Sequence, residues 1–135
     1  MKYTDFTEDK EIQFTVGKER YVVAKLSKIP RFQDGMLAII RDKNEITVIA
    51  QEDLNLKTLE VVKGFKLITF VVRLPFELCG FISYISGLLA EQEIPLYIFS
   101  SFSTDHILIK EADLDKTISV LEKNGFVLSQ QHTLF

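Results

Sequence analysis

The sequence predicts an α/β fold of the α+β kind, made of two tandem units of which the first lacks its leading helix. Three observations predict it. First, residues 107–126 (ILIKEADLDKTISVLEKNGF) echo residues 47–65 (TVIAQEDLNLKTLEVVKGF). Ile49 matches Ile109 and Asp53-Leu54 matches Asp113-Leu114, each 60 residues apart; Gly64-Phe65 matches Gly125-Phe126, 61 apart. A recurring strand–helix–turn–strand unit points to two related subdomains, and two copies are too few for a solenoid. Second, the hydrophobic pattern after residue 66 switches between strand and helix periods in the order β-α-β-β-α-β. Third, the corresponding first gap is short in the front half, running from Leu26 to Met36, against Leu74 to Leu96 in the back half. The longer gap holds a helix and the shorter one does not.

The elements follow in order. Residues 1–10 are polar and read as a flexible N-terminal arm. Tyr21–Leu26 (YVVAKL) is β-branched and apolar, and reads as a strand. Ile29-Pro30 and Asp34-Gly35 mark a loop. Met36–Ile40 and Glu45–Ala50 read as a hairpin around Asp42-Lys43-Asn44. Gln51–Leu56 has room for one helical turn, and Leu59–Val62 reads as extended. Leu67–Leu74 places Ile68, Phe70, Val72 and Leu74 on one face and a partly apolar set on the other, so it reads as a central strand stopped by Pro75. Glu77–Gln92 carries Leu78, Phe81, Ile82, Ile85, Leu88 and Leu89 at helical spacing. Pro95–Phe102 and His106–Lys110 read as a second hairpin, turning near Ser103-Thr104. Asp113 is placed to cap a helix through Lys123, with Leu114, Ile118 and Leu121 on its buried face. Asn124-Gly125 ends that helix, since glycine accepts the left-handed conformation there. A last strand begins at Phe126. The back half therefore has the ferredoxin-like order, which divides the chain into an arm (1–10), a degenerate first unit (11–65) and a complete second unit (66–135).

Composition narrows the function classes. The 135 residues carry a net charge of −3, and the 16 basic residues are scattered rather than blocked. That pattern disfavours a nucleic-acid binder, which needs a basic patch or stripe. Cys79 is the only cysteine, so an intrachain disulfide is out and a reducing, cytoplasmic setting is expected. The N-terminal MKYTDFTEDKEIQF has no apolar core of a signal peptide, and the longest uncharged apolar run, 78–90, is too short for a membrane span. Cys79, His106 and His132 lie 27 and 26 residues apart and match no metal pattern. No nucleophile motif is present, and Asp105 and His106, adjacent on a strand, face opposite sides. No catalytic residue, metal or cofactor is expected.

Residues 74–114 read LPFELCGFISYISGLLAEQEIPLYIFSSFSTDHILIKEADL. With the element order above, this text resembles the ACT domain, a small regulatory module that binds amino acids, usually between two copies. It looks most like the subgroup with two tandem ACT units, which also includes an animal cytosolic arginine sensor. Where that subgroup shows Ser-Thr-Phe/Tyr-x-x-Asp, this chain has Ser100-Ser101-Phe102-Ser103-Thr104-Asp105, which keeps the hydroxyl. A Glu that the arginine sensor has in the place of Leu78 falls one residue earlier here, at Glu77, so arginine itself is not carried over.

The resemblance implies a ligand site at Glu77, Leu78, Cys79, Gly80, Phe81, Ser101, Phe102 and Asp105. Physical reasoning supports part of it. A helix N-terminus offers unpaired N–H groups and a partial positive charge, a cradle for an α-carboxylate. Gly80 allows close backbone approach. Asp105 is placed to accept from a ligand ammonium, although an aspartate after a turn also serves simply as a turn residue. Period-2 geometry sends Ser100 and Phe102 to one face and Ser101 to the other. The expected protein is a non-enzymatic sensor of an amino acid or similar small zwitterion, homodimeric, acting on an unnamed downstream protein. The alternative is a protein-interaction module that dimerises through the second unit and binds no small ligand. Gly80, Ser83, Gly87 and Ala90 share one helix face, suited to close packing on the sheet or on a partner.

Overall fold

The computed structural model describes residues 11–72 and 79–129. Seven strands form one sheet: β1 (Gln13–Leu26), β2 (Met36–Arg41), β3 (Ile46–Gln51), β4 (Glu60–Val71), β5 (Tyr97–Ser100), β6 (Asp105–Lys110) and β7 (Val127–Leu128). Two helices, α1 (Phe81–Glu91) and α2 (Leu114–Lys123), complete the α+β architecture, with a 3-10 turn at Glu111–Asp113 before α2. No described helix is long and apolar enough to cross a membrane.

The strand order is β2-β3-β1-β4-β6-β5, and β7 pairs with β1. Two long strands organise this sheet. β1 pairs antiparallel with β4 along almost its whole length, from Gln13↔Val71 to Lys25↔Glu60. On its other edge, β1 holds two different partners: Tyr21–Leu26 pairs with β3, and Gln13-Phe14 pairs parallel with β7. β4 in turn pairs with β6 through Phe65–Thr69 only. The front four strands thus run β2-β3-β1-β4, the ferredoxin-like sheet order. In the back half, Gln13–Val16 sits where the fourth strand of such a sheet would pair, and β7 lies outside it.

The front hairpin forms as the sequence predicts, with Asp42 Oδ1 accepting from the N–H groups of Asn44 and Glu45 at 2.7 and 2.9 Å. Two expectations are corrected. Gln51–Leu56 is a non-helical turn. The extended segment at 59–62 and the strand from Leu67 are one continuous strand, β4, bent by a bulge. The register of β1 against β4 slips between Tyr21 and Val23, and Gly64 at φ +85° takes the conformation that the bulge needs. The predicted end of that strand and start of the next helix, at 73–78, lie outside the described residues, as do the arm 1–10 and residues 130–135.

The helices cover one face of the back half. Phe81, Ile85 and Leu89 of α1 are buried at i, i+4 and i+8, and Thr117 and Leu121 of α2 are buried beside them. They pack on Phe14, Ile68, Phe70, Ile107 and Ile109 of the sheet. Phe70 is fully buried, with the rings of Phe81 and Phe126 at 5.3 and 5.7 Å in edge-on contact. Asp113 precedes α2 but makes no side-chain cap bond; the 3-10 turn places it inside a helical run instead. Thr117 Oγ1 donates back to Asp113 O at 2.8 Å, which satisfies a hydroxyl that is otherwise buried.

A separate cluster of Tyr21, Ile49 and Leu108, with Val23, Leu67, Tyr97 and Phe99, forms on the opposite face. Tyr97 of β5 shares a cleft of about 250 Å³ with Val23 and Thr47. Strands four places apart in a flat sheet lie about 19 Å from each other. The sheet is therefore coiled, its two ends turned toward each other in the usual sense of strand twist.

The small-residue face of α1 is exposed. Ser83, Gly87 and Ala90 face outward, and a Cβ at Gly87 would meet nothing within 4 Å. Packing of this face on the chain's own sheet is thereby excluded among the described residues.

Two predictions follow from this packing. Phe70→Ala should cost about 3–5 kcal/mol in urea unfolding, the range for truncating a buried phenylalanine. A loss under about 1 kcal/mol would contradict the aromatic cluster. Gly64 and Gly87 both have room for a methyl group, so alanine at each reads out the backbone alone. Gly64→Ala should destabilise by about 1–2 kcal/mol for its left-handed conformation. Gly87→Ala should stabilise by about 0.5–1 kcal/mol as an ordinary helix substitution.

Candidate functional site

β4 runs toward α1, while β5 ends and β6 begins at that same end of the sheet. Thr69 pairs with His106 and Ser100 with Asp105. The topology thus gathers Cys79–Phe81, Ser100–Phe102 and Asp105 at one end. Gly80 stands at the N-cap of α1 with φ +93° and without a side-chain cap bond, and its carbonyl accepts the Tyr84 N–H at 2.9 Å. The left-handed turn aims the chain into the helix, and Gly80 itself brings no side chain to cap it. Cys79 and Gly80 are exposed. Phe81 is buried in the aromatic core, so only its backbone is available to a ligand. Phe102 is 73% exposed. Glu77 and Leu78 lie outside the described residues.

The predicted set is split between the two faces of the sheet. Asp105 shares the face of Ile107 and Ile109, on which the helices pack, and accepts a hydrogen bond from the Ser100 hydroxyl. Ser101 points the other way, as the strand period requires. Its Oγ lies 2.7 Å from His106 Nε2, and Thr69 Oγ1 lies 3.0 Å from Nδ1. The imidazole stacks on Phe99 at 5.0 Å. Asp105 thus lies on the face of the sheet that the helices cover, and Ser101 belongs to a cluster on the other face.

That second cluster was not read from the sequence. Its members, Thr69, Phe99, Ser101 and His106, come from three strands, and only the register of β4 on β6 and β6 on β5 brings them together. The Ser101–His106 contact has the distance of a nucleophile and its base, but the far ring nitrogen meets a neutral hydroxyl. A carboxylate there would hold the imidazolium in a hydrolytic triad; Asp105, the adjacent acid, is on the other face. Burial pushes the His106 pKa down, with the Asp105 charge opposing. Each hydroxyl can donate or accept, so both nitrogens of the neutral ring are satisfied. Among the described residues, no group of His, Cys, Asp and Glu is arranged to hold a metal ion.

A cleft of about 520 Å³ lies elsewhere, over the middle of the β1–β4 pair. Arg20 and Lys66 are direct cross-strand partners in that pair. Glu52 and Glu111, the residues that follow β3 and β6, face them. Arg20 Nε donates to Glu111 Oε1 at 2.9 Å, which holds the Glu111 carboxyl below the usual range and raises the guanidinium. Lys66 Nζ donates to Lys18 O at 2.9 Å, and Glu52 accepts from the Gly64 N–H at 3.1 Å. The repeat in the sequence was the available signal for this cleft, since it aligns the turns after β3 and β6. The pairing of Arg20 with Lys66 was not legible.

The depressed His106 pKa carries a sign. Folding favours the neutral ring, so its contribution is full above about pH 6.5, the unfolded value, and is lost as pH falls below it. Wild-type melting temperature should fall between pH 7 and pH 5. In His106→Gln that part of the slope should flatten while the remaining carboxylate-driven decline persists. An unchanged slope would show that His106 is not responsible.

Residues 60–123, just under half of the chain, match the family model of the ACT domain. A solved protein from Agobacterium tumefaciens is similar over 91% of this chain and 96% of that chain, with a TM-score of 0.80 and 25% identity. A Vibrio cholerae protein of unknown function, named as a possible transport protein, is similar over 84% and 89% of the two chains, with a TM-score of 0.66 and 19% identity. The ligand-free regulatory subunit of aspartate kinase from Thermus thermophilus is similar over 84% and 95%, with a TM-score of 0.59 and 10% identity. The last two likenesses are of fold alone. No curated protein matches the sequence. The chain thus has the fold of an aspartate kinase regulatory subunit, and its segment 60–123 is similar to the ACT domain.

Proposed function

We propose that the protein is a non-catalytic, cytosolic regulatory module that binds an amino acid or a similar small zwitterion and works as a homodimer. One observation supports this reading: in the segment that matches the ACT domain, 60–123, the N-terminus of α1 and the Asp105 carboxylate both follow or begin elements that meet one end of the sheet. The α-carboxylate of the ligand sits on the backbone N–H groups around Cys79–Phe81, where the helix end favours negative charge. Asp105 takes the ammonium. Ser100 already donates to Asp105, which orients the carboxylate and leaves acceptor capacity for the ligand. Phe102, largely exposed, supplies an apolar wall. Ser101 supports the site from behind through the β5–β6 turn. Regulation is linkage: a ligand with different affinity for two arrangements shifts their populations, and a downstream protein reads the shift.

A second reading has its own observation. Ile29, Phe32, Leu37 and Ile40, on β2 and the loop before it, are all exposed, and exposed apolar surface is a feature of interaction sites. On that reading the protein is an interaction module, and the contact face lies on the front half rather than on the helices of the second unit.

A thermal-shift screen against the twenty amino acids separates the two. A ligand at about 100 times its Kd stabilises by about 2.7 kcal/mol, a rise of several degrees for a chain of this size. One amino acid should raise the melting temperature, and Asp105→Ala should abolish the rise while the protein still melts cooperatively. No shift with any amino acid, together with a change of mass in light scattering on Ile40→Asp, would favour the interaction module.

A further inference from the structure

The charged cleft over the β1–β4 pair has the properties of a ligand site of its own. Its volume of about 520 Å³ falls in the range of small-molecule pockets, about 300–1,000 Å³. Its walls come from both halves of the chain. Lys18 and Arg20 stand on β1, Lys66 on β4, Glu52 and Asp53 after β3, and Glu111 after β6. Arg20 and Lys66 are paired across the strands, and Glu52 and Glu111 are the first residues after equivalent strands, so the cleft is built about the centre of the sequence repeat.

The charges in this cleft are only partly used by the fold. Arg20 spends its Nε on Glu111, and the two terminal guanidinium nitrogens stay available. Lys66 is held by a backbone carbonyl and Glu52 by a backbone N–H. The Lys18 ammonium and the Asp53 carboxylate have no partner among the described residues. A simple anion in the cleft would meet Glu52, Asp53 and Glu111, with Glu19 also on the rim. A simple cation would meet three basic groups. A ligand carrying both signs meets neither penalty.

We infer that this cleft is a binding site for a zwitterionic α-amino acid, separate from the site at Asp105 and not dependent on it. The ligand carboxylate takes the Arg20 fork and Lys18, and its ammonium takes Asp53 and Glu52. Bidentate pairing by arginine gives the carboxylate its orientation. The walls are open to solvent and the charges screened, so affinity is modest and falls with salt.

The test is a backbone amide NMR titration of the intact protein with each of the twenty amino acids. Acetate and methylammonium serve as the two half-molecule controls. At least one amino acid should move the amides of Glu52, Asp53, Lys66 and Glu111 saturably, and neither half-molecule should do so at the same concentration. Lys18→Gln and Asp53→Asn, which remove no contact that the fold uses, should each weaken binding at least about fivefold, while Asp105→Ala should leave it unchanged. The inference is overturned if no amino acid moves these amides by about 20 mM, a Kd weaker than about −2.3 kcal/mol. It is equally overturned if acetate saturates them as well as the amino acid does, or if the Lys18→Gln/Asp53→Asn double variant binds like wild type. Shifts confined to the amides around Phe81 and Asp105 would sink the cleft while supporting the other site.

Discussion

The antiparallel pairing of β1 with β4 is the constraint on which the rest depends. These are the two longest strands, 14 and 12 residues, and each serves both halves of the molecule. β1 offers its C-terminal half to β3 and its N-terminal residues to β7; β4 offers its C-terminal half to β6. The bulge at Gly64 and the slip near Val16 bend the pair, so the sheet coils and buries Ile49 and Leu108 without a covering helix. Both candidate sites follow from this geometry. One lies at the end of β4 where α1 begins, and the other lies over the bend itself.

Energetically the molecule is asymmetric. The back half is held by two helices on a phenylalanine-rich face, with Phe14, Phe70, Phe81 and Phe126 in mutual contact. The front half has no helix, and its own cluster of Val22, Ala24, Met36, Val48 and Ala50 is smaller and lined by turn residues such as Leu54 and Leu56. The ion pairs contribute little to stability: Arg20 and Glu111 are about half exposed, and Lys25 sits 4.0 Å from both Glu45 and Glu60, distances and exposures at which solvent screening dominates.

Much of the fold was legible because the decisive signals are local. The hairpin around Asp42-Lys43-Asn44, the stripe Phe81, Ile85, Leu89 and the Gly125 stop each depend on a few neighbouring residues. The errors fell where a tertiary contact overrides the local signal. The segments 59–62 and 67–74 look separate, yet a bulge at Gly64 against β1 lets one strand run from the first into the second. Asp113 looks like a cap, yet a 3-10 turn carries the helical path ahead of it. For the sites, strand period correctly sent Ser101 away from Ser100. The Thr69–His106 contact and the Arg20–Lys66 pair depend on register between strands more than 30 residues apart, which one sequence does not display.

The place of Gln13–Val16 between β4 and β7 also governs how the chain assembles. Among the described residues β7 is attached to the sheet through one parallel partner more than 110 residues earlier. The contacts that complete the back half are therefore among the longest-range in the molecule, and loop closure must be met before they form. On the growing chain the C-terminal half of β1 meets β3 before β4 is made, its N-terminal residues wait for the end of β4, and β7 joins them later still. Neither half can finish on its own, so folding is a single event, with β1 as both its earliest and its latest participant.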